Sequence, residues 1–270
     1  MHARSLLSDR GLRPKKHLGQ HFLVDEASVS RIADLVITTN PLVEVGPGTG
    51  VLTRALAPRV PKLQVIEIDP DMVAILCADP ALTNVTITEH DALTYDYAAL
   101  SQAGPWHATG NLPYNVGTPL LLQWIESPSP PERITVMVQK DVAERLAAQV
   151  NTPAYGSLSV AAQLIMTVRC AFVLGPQAFY PKPKVDSAVV VLERRAEPIV
   201  SGTLLTQTRA VVRAAFAYRR KTLANSLHLA LGLERTLAQG ALRSIGLDTE
   251  IRGEQLGLNA FVALAKALAA

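Results

Sequence analysis

The chain is poor in the residues that mark several common protein classes. Its 270 residues include two cysteines, Cys77 and Cys170, far apart and both in apolar surroundings. This excludes a disulfide-stapled scaffold and fits two buried thiols in a reducing compartment. No Cys/His cluster has metal-ligand spacing, so no metal site is expected. There is no uninterrupted apolar run long enough to cross a bilayer. Aromatic residues make up only 5% of the chain, so each Tyr or Phe in a polar context carries weight. What is abundant is apolar aliphatic sequence. At 49% hydrophobic, the chain can build one large α/β domain and a smaller companion.

Net charge is +3, but it is unevenly spread. Residues 1–24 carry five Lys/Arg against one acid, residues 25–192 ten against sixteen, and residues 193–270 eleven against six. An acidic middle between two basic ends suits a polyanionic partner gripped from the ends, although solubility patterning gives a similar picture. The basic, acid-poor start loosely resembles an organellar transit peptide. That reading is set aside because the segment runs directly into a motif the site needs, and a cytoplasmic protein is expected.

Short apolar runs alternate with helical patterns. Residues 42–46, 62–68, 85–91, 107–112 and 134–139 read as strands, and 187–193 (SAVVVLE) as a late one. Helical patterns fall at 28–36, 50–58, 70–78, 117–126 and 140–150. The alternation predicts an α/β fold with a mainly parallel sheet. Beyond about Ala196 the pattern is helical only, rich in Ala and Leu. A domain boundary is placed there, giving residues 1–196 as an α/β domain with a basic arm (1–24) and 197–270 as a helical domain.

Val45-Gly46-Pro47-Gly48-Thr49-Gly50 follows a strand and opens a helix, which lets a ligand approach the backbone closely. Alone it is a weak signal, shared by many nucleotide-binding folds. Pro47 lacks an N–H and so suits a pyrophosphate cradle poorly. Glu67 ends the next strand, where such folds hold ribose hydroxyls, and can accept two of them. Asp91 ends the third strand and can accept a hydrogen bond from an adenine amino group. Each acid alone reads as well as a strand-end residue facing water. Acids at the ends of three successive strands, Glu44, Glu67 and Asp91, together with the glycine turn describe an adenosine-shaped ligand without phosphates, which S-adenosylmethionine fits. Glu44 lies one strand residue earlier and can instead meet a methionine amino group, and the sequence leaves those roles open.

Gly110-Asn111-Leu112-Pro113-Tyr114 ends the fourth strand. An adenine amino group is a poor nucleophile because its lone pair is delocalised into the ring. Two acceptors in a rigid turn, the Asn111 side-chain oxygen and the Leu112 carbonyl, can hold both amino hydrogens and favour a more pyramidal nitrogen. Pro113 stiffens the turn. Tyr114 can stack on the base, worth roughly 1–3 kcal/mol. A sulfonium donor needs no nucleophilic side chain, so catalysis is mostly positioning. The tetrapeptide by itself is equally an ordinary turn, and its place downstream of Gly46, Glu67 and Asp91 favours the chemical reading.

The motifs HLGQHFL (17–23), EVGPGTG (44–50), VIEID (65–69), HDAL (90–93), GNLPYN (110–115), VQKDVAERL (138–146), PAYGSLSV (153–160), FYPKPKVDSAVV (179–190) and RRKTLANSL (219–227) occur in order. In these the chain resembles the small-subunit (16S) rRNA adenine N6-dimethyltransferase family, the KsgA family. The resemblance implies a Rossmann-like methyltransferase domain with a small helical C-terminal domain. It further implies dimethylation of two adjacent adenosines in the 3′-terminal hairpin loop of 16S rRNA, within the small subunit or its precursor. By motif match His21, Leu23, Gly46, Gly48, Glu67, Asp91 and Asn111 take cofactor-binding positions. Tyr114 and Phe179 take those that sandwich the target base. Many members have Asn where this chain has His21. In the base-flanking role that the resemblance implies, Phe179 is held by the stiff loop through Pro181 and Pro183.

The basic ends then become candidate RNA contacts: Arg13–Lys16 at one end and Arg219, Arg220 and Lys221 at the other. If 207–227 is one helix, Arg209, Arg213 and Arg220 share a stripe. A monomer is expected. Two other readings compete. One is a large-subunit (23S) rRNA methyltransferase of the antibiotic-resistance type, against which Leu112 and the PAYG and RRKT segments argue by resemblance. The other is an RNA-binding ribosome assembly factor with secondary methylation. Charge reversal at Arg219 and Arg220 is expected to weaken RNA binding and flatten its salt dependence. An unchanged salt slope in filter-binding titrations would contradict the basic-end assignment.

Overall fold

The computed structural model describes residues 3–39, 41–102 and 104–269. Its strands are β1 (Phe22–Leu23), β2 (Leu42–Val45), β3 (Leu63–Glu67), β4 (Val85–Glu89), β5 (His107–Asn111), β6 (Arg133–Gln139), β7 (Met166–Leu174), β8 (Phe179–Tyr180) and β9 (Ser187–Arg194). The helices are α1 (Ala3–Asp9), α2 (Glu26–Leu35), α3 (Val51–Leu56), α4 (Pro70–Cys77), α5 (Ala98–Gln102), α6 (Gly117–Glu126), α7 (Lys140–Ala147), α8 (Ser157–Gln163), α9 (Gly202–Ala217), α10 (Leu223–Leu231), α11 (Arg235–Ser244) and α12 (Leu258–Ala269).

Seven strands form one sheet in the order β4-β3-β2-β5-β6-β9-β7. From β4 to β6 the pairs are parallel, and β9 runs antiparallel to β6 with Arg133 opposite Glu193 and Gln139 opposite Ser187. The parallel fold expected from the alternation is therefore present. The central strands β2 (LVEV) and β5 (HATGN) are buried along almost their whole length, although β5 carries no continuous apolar run. The edge strand β7 has a mostly exposed or half-exposed pattern, MTVRCAFVL, and no strand is assigned to it from sequence. Cys170 lies on this edge and Cys77 at the end of α4. Both are exposed, correcting the expectation of buried thiols.

The few aromatic residues are concentrated. Tyr97 stacks on Trp106 at 5.7 Å, and Trp124 meets both rings edge-on. Such pairs contribute about 0.5–1.5 kcal/mol each beyond burial. Local signals fix several helix starts. The Asp25 carboxylate accepts from Ser28 N at 2.9 Å, and Asp69 accepts from Asp71 N at 3.0 Å with Pro70 in the first turn of α4.

The chain divides into two compact units, Met1–Ala143 with Arg169–Glu193 and Glu144–Val168 with Arg194–Ala270. This differs from a single cut after Ala196. The segment 144–168, including PAYGSLSV, groups with the C-terminal helices. The composition change near Ala196 marks the end of the last strand, whereas the chain first enters the helical unit much earlier. Within that unit Tyr155 is buried, its hydroxyl donates to Leu256 O at 2.9 Å, and its ring meets Phe216 at 6.0 Å. A tyrosine in a Pro-Ala-Tyr-Gly stretch thus serves as core. Arg219-Arg220-Lys221 is not on one long helix. Helix α9 ends at Ala217 and the basic triplet lies in the turn before α10, so Arg220 does not extend a stripe from Arg209 and Arg213.

His107 opens β5 at 4% exposure, and neither ring nitrogen has a hydrogen-bond partner among the described residues. Burial, and then the charge of Arg133, lower its pKa from 6.5, with Glu132 opposing. The folded state therefore holds this ring neutral. As pH falls below about 6.5 the unfolded chain takes up the proton first, so this contribution is present above that pH and lost below it. His107→Leu should lose less stability than the parent chain between pH 8 and pH 5 in urea titrations. A parent–variant difference that stays constant across that range would contradict this account.

Candidate active site

The strand order reverses about β2, which pairs with β3 on one side and β5 on the other. Ligands in open α/β sheets bind beyond the carboxyl ends of strands at such a point. A cleft of about 270 Å³ opens there, lined by the glycine turn, the strand-end acids, the Asn111–Tyr114 turn and residues 18–23 of the N-terminal arm. All of these belong to the first unit.

Geometry requires glycine at two places, one in the turn after β2 and one on β5. Gly48 has φ +55°, and a Cβ there would lie 2.9 Å from the Phe22 ring. Gly110 has φ +153°, and its Cβ would lie 2.3 Å from Val45 O, so β5 passes β2 closer than any side chain permits. Gly46 lies in the same turn with φ +65°.

Glu67 is 6% exposed. Its Oε2 accepts from Gly48 N at 3.0 Å, and its Oε1 from Ile68 N and Asp69 N at 2.9 Å each. Burial raises its pKa, while these backbone donors oppose the rise. A carboxylate offers about four acceptor positions. In this arrangement Glu67 has room for one further hydroxyl rather than the two expected from sequence. Glu44 is 1% exposed and its Oε2 has no hydrogen-bond partner among the described residues. Burial pushes its carboxyl up to about 8; the neighbouring Thr53 hydroxyl opposes, and the Glu67 charge adds to the rise. It is a buried acceptor facing the cleft, suited to a cationic donor. Asp91 follows β4, and its Oδ1 accepts from Leu93 N at 2.9 Å.

Asn111 is oriented by the arm. Its Nδ2 donates to His21 O at 2.8 Å, which commits the amide nitrogen and leaves Oδ1 as an acceptor. Leu112 N donates to Met137 O at 3.0 Å, and Pro113 O accepts from Val116 N and Gly117 N, so the turn is held on both sides. The Tyr114 hydroxyl is 2.8 Å from Ser187 Oγ, and burial raises the tyrosine pKa against that bond.

Phe179 is 2% exposed and belongs to the core with Ile32, Met137, Leu174 and Val189. It pairs across β1/β8 with Leu23, itself 6% exposed and lining the cleft. A place for the Phe179 ring beside a target base is what the family resemblance implies, and the ring is buried here. Among the described residues the ring stacked on Tyr114 is His21, at 5.3 Å between centroids and 29° between planes.

The basic candidates also sort. Lys15 Nζ lies 2.6 Å from Asp69 and 2.7 Å from Asp71, and Gln20 Nε2 donates to Asp69 Oδ2 at 2.7 Å. Lys15 therefore ties the arm to α4 and is not a free phosphate contact. Arg13 and Lys16 are exposed. In the helical unit, Arg219 Nη2 donates to Pro153 O and Tyr155 O at 3.1 and 3.3 Å, while Arg220 and Lys221 are exposed. Reversal of Arg219 would also break a fold contact, so Arg220 with Lys221 is the cleaner pair. Sequence reasoning did not single out Ile68, which is 47% exposed and lines the cleft beside Ala92 and His90. An apolar residue directly after a strand-end acid was the available signal. It also missed Ser187 and Gln20.

A parallel sheet with a glycine turn and strand-end acids at its switch point, and an amide-bearing turn across the cleft, defines a Rossmann-like methyltransferase domain. The chain belongs to the ribosomal RNA adenine dimethylase family, which it matches over residues 11–267. It is 39% identical over 277 residues to the ribosomal RNA small subunit methyltransferase A of Streptococcus pneumoniae strain CGSP14, covering 98% of this chain and 95% of that protein. The protein of the same name from Streptococcus gordonii is equally similar. Among solved structures, a dimethyladenosine transferase from Plasmodium falciparum has the same fold, with TM-score 0.73, 24% identity and coverage of 90% of this chain and 96% of that one. The 23S rRNA methyltransferase ErmE superposes with TM-score 0.67 at 27% identity, over 92% of this chain and 100% of that one.

Glu67→Gln places an amide NH2 against the N–H groups of Gly48, Ile68 or Asp69 whichever way it turns. Affinity for S-adenosylhomocysteine by calorimetry should fall by about tenfold or more, the loss of at least one charge-assisted hydrogen bond. Wild-type affinity in this variant would contradict the role given to Glu67.

Proposed function

We propose that the chain transfers methyl groups from S-adenosylmethionine to the N6 amino groups of two adjacent adenosines in the 3′-terminal hairpin loop of 16S rRNA. The substrate is the small subunit or its precursor. Family membership gives the reaction class, and the 39% identity to proteins named for the small subunit favours that target over the large subunit. The observation that carries the chemistry is the Asn111 amide, locked by its bond to His21 O with Oδ1 left to accept.

The residues fit the donor molecule. The buried, unpartnered Glu44 Oε2 suits an ammonium group, and such a charge would favour its ionised form. Glu67 keeps one acceptor position for a ribose hydroxyl, and Asp91, whose Oδ1 accepts from Leu93 N, has Oδ2 left to accept from an adenine amino group, with Ile68 and Ala92 giving apolar walls. Gly46 and Gly48 let the backbone approach, and His21 and Leu23 close the arm side. When bound, the sulfonium supplies an electrophilic methyl group, so the protein needs no nucleophile of its own.

On the acceptor side, Asn111 Oδ1 and the Leu112 carbonyl take the two amino hydrogens of the target adenine. This draws the nitrogen lone pair out of conjugation and aims it. Tyr114 offers the stacking face, and Ser187 holds its hydroxyl. A loop adenosine costs less to unstack than a paired one. The exposed Arg220 and Lys221 supply backbone attraction. A cytoplasmic location follows from this substrate; no helix among the described residues is long and apolar enough to cross a membrane.

Asn111→Ala should abolish methyl transfer, by about 100-fold or more, while leaving RNA binding near normal, because the lost acceptor acts on the reacting nitrogen. The check is mass analysis of rRNA fragments after reaction with small-subunit particles, large-subunit RNA and duplex DNA side by side. Transfer at the wild-type rate would reject the clamp, and incorporation into large-subunit RNA alone would reject the target.

A further inference from the structure

His21 lies where three segments of the site meet. Its backbone carbonyl accepts from Asn111 Nδ2 at 2.8 Å. Its ring Nδ1 is 2.7 Å from the Pro181 carbonyl, which can only accept, so Nδ1 carries the proton. Its ring lies against Tyr114, whose hydroxyl is anchored 2.8 Å from the fully buried Ser187. The backbone link to Asn111 survives substitution of the side chain, whereas the links to Tyr114 and Pro181 do not.

A base sandwiched between two rings needs a centroid separation of about 7 Å, two contact distances of about 3.5 Å. His21 and Tyr114 are 5.3 Å apart. No base fits between them, so adenine takes the other face of Tyr114 and His21 backs the ring. We propose that His21 is a positioning residue for the target base, setting through Tyr114 the plane against which adenine stacks. This rests on the adenine-methylation reading above.

The role bears unequally on two successive transfers. Each transfer forms one N6–C bond, breaks the S–C bond of the donor with its electron pair left on sulfur, and releases one N6 proton to solvent water. The unmodified amino group offers two N–H bonds to Asn111 Oδ1 and the Leu112 carbonyl. The monomethylated group offers one. With one hydrogen bond gone, the orientation of the base in the second transfer depends more heavily on the stacking plane.

The test is single-turnover methylation of small-subunit particles by the full chain at saturating S-adenosylmethionine, reading the ratio of monomethyl to dimethyl adenosine by mass. His21→Ala should slow the second transfer relative to the first by about tenfold and accumulate monomethyl product. His21→Phe, which keeps a ring, should restore the wild-type ratio. His21→Leu, which keeps the bulk but no ring, should not. Should His21→Ala lose stability or cofactor affinity, the Phe and Leu variants decide between themselves. A wild-type ratio in His21→Ala or His21→Leu, or faster transfer in either, overturns the proposal while leaving the adenine reading intact. A wild-type chain that leaves the particles unmethylated overturns both.

Discussion

The buried Glu67 carboxylate gathers three backbone N–H groups from two segments that the sheet alone would not hold together. Gly48 belongs to the turn after β2, and Ile68 and Asp69 to the turn after β3. Desolvating a carboxylate is costly, and only the charge-assisted bonds offset it. Once Glu67 fixes Asp69, that residue caps α4 and receives Lys15 and Gln20 from the N-terminal arm. The arm then carries His21 to Asn111 and Tyr114. The acid-bearing half of the cleft and the Asn111–Tyr114 half are thus connected by hydrogen bonds and a ring contact that start from one buried acid.

The arm is where charge changes meaning. In the sequence, Lys15 is one of several cations in a basic stretch and reads as part of an RNA footprint. In the structure it sits within 2.7 Å of two aspartates. The desolvation that would raise the Asp69 pKa is outweighed by the bonds from Lys15, Gln20 and Asp71 N, and the pKa is lowered. Opposite charges 54 positions apart cannot be paired by inspection of a chain. Exposed neighbours such as Arg13 and Lys16 keep the polyanion reading, so the net charge of the arm overstates the number of cations available to a ligand.

The central strands, the glycine turn, Glu67, Asp91 and the Asn111–Tyr114 turn were legible because each couples a local pattern to a position at a strand end. Edge strand β7 was not, because exposure on one side and pairing on the other leave no continuous apolar run. The excursion of residues 144–168 into the helical unit was hidden for a different reason. Its helix signals resemble those of an α/β connection, and its membership is decided by long-range burial of Tyr155 against Phe216 and Leu256. The burial of Phe179 and the contact of His21 with Tyr114 were hidden for a related reason. Sequence gives residue type and spacing, but the side of a short ladder on which a ring falls depends on pairing with residues about 150 positions away.

The two acceptors proposed for the target amino group, the Asn111 side-chain oxygen and the Leu112 carbonyl, do not titrate and are suited to holding still. Of the acids in the cleft, Glu44 is buried and pushed up to about 8, and Glu67 is engaged by backbone donors. In the proposed reaction the amino nitrogen therefore meets an amide oxygen and a carbonyl. That matches a transfer in which the electrophile arrives charged and the nucleophile needs only aim. Rigidity then becomes the catalytic requirement, which is why an arm latched through Lys15 and a tyrosine pinned at Ser187 and backed by His21 belong to the chemistry as much as the acceptors do.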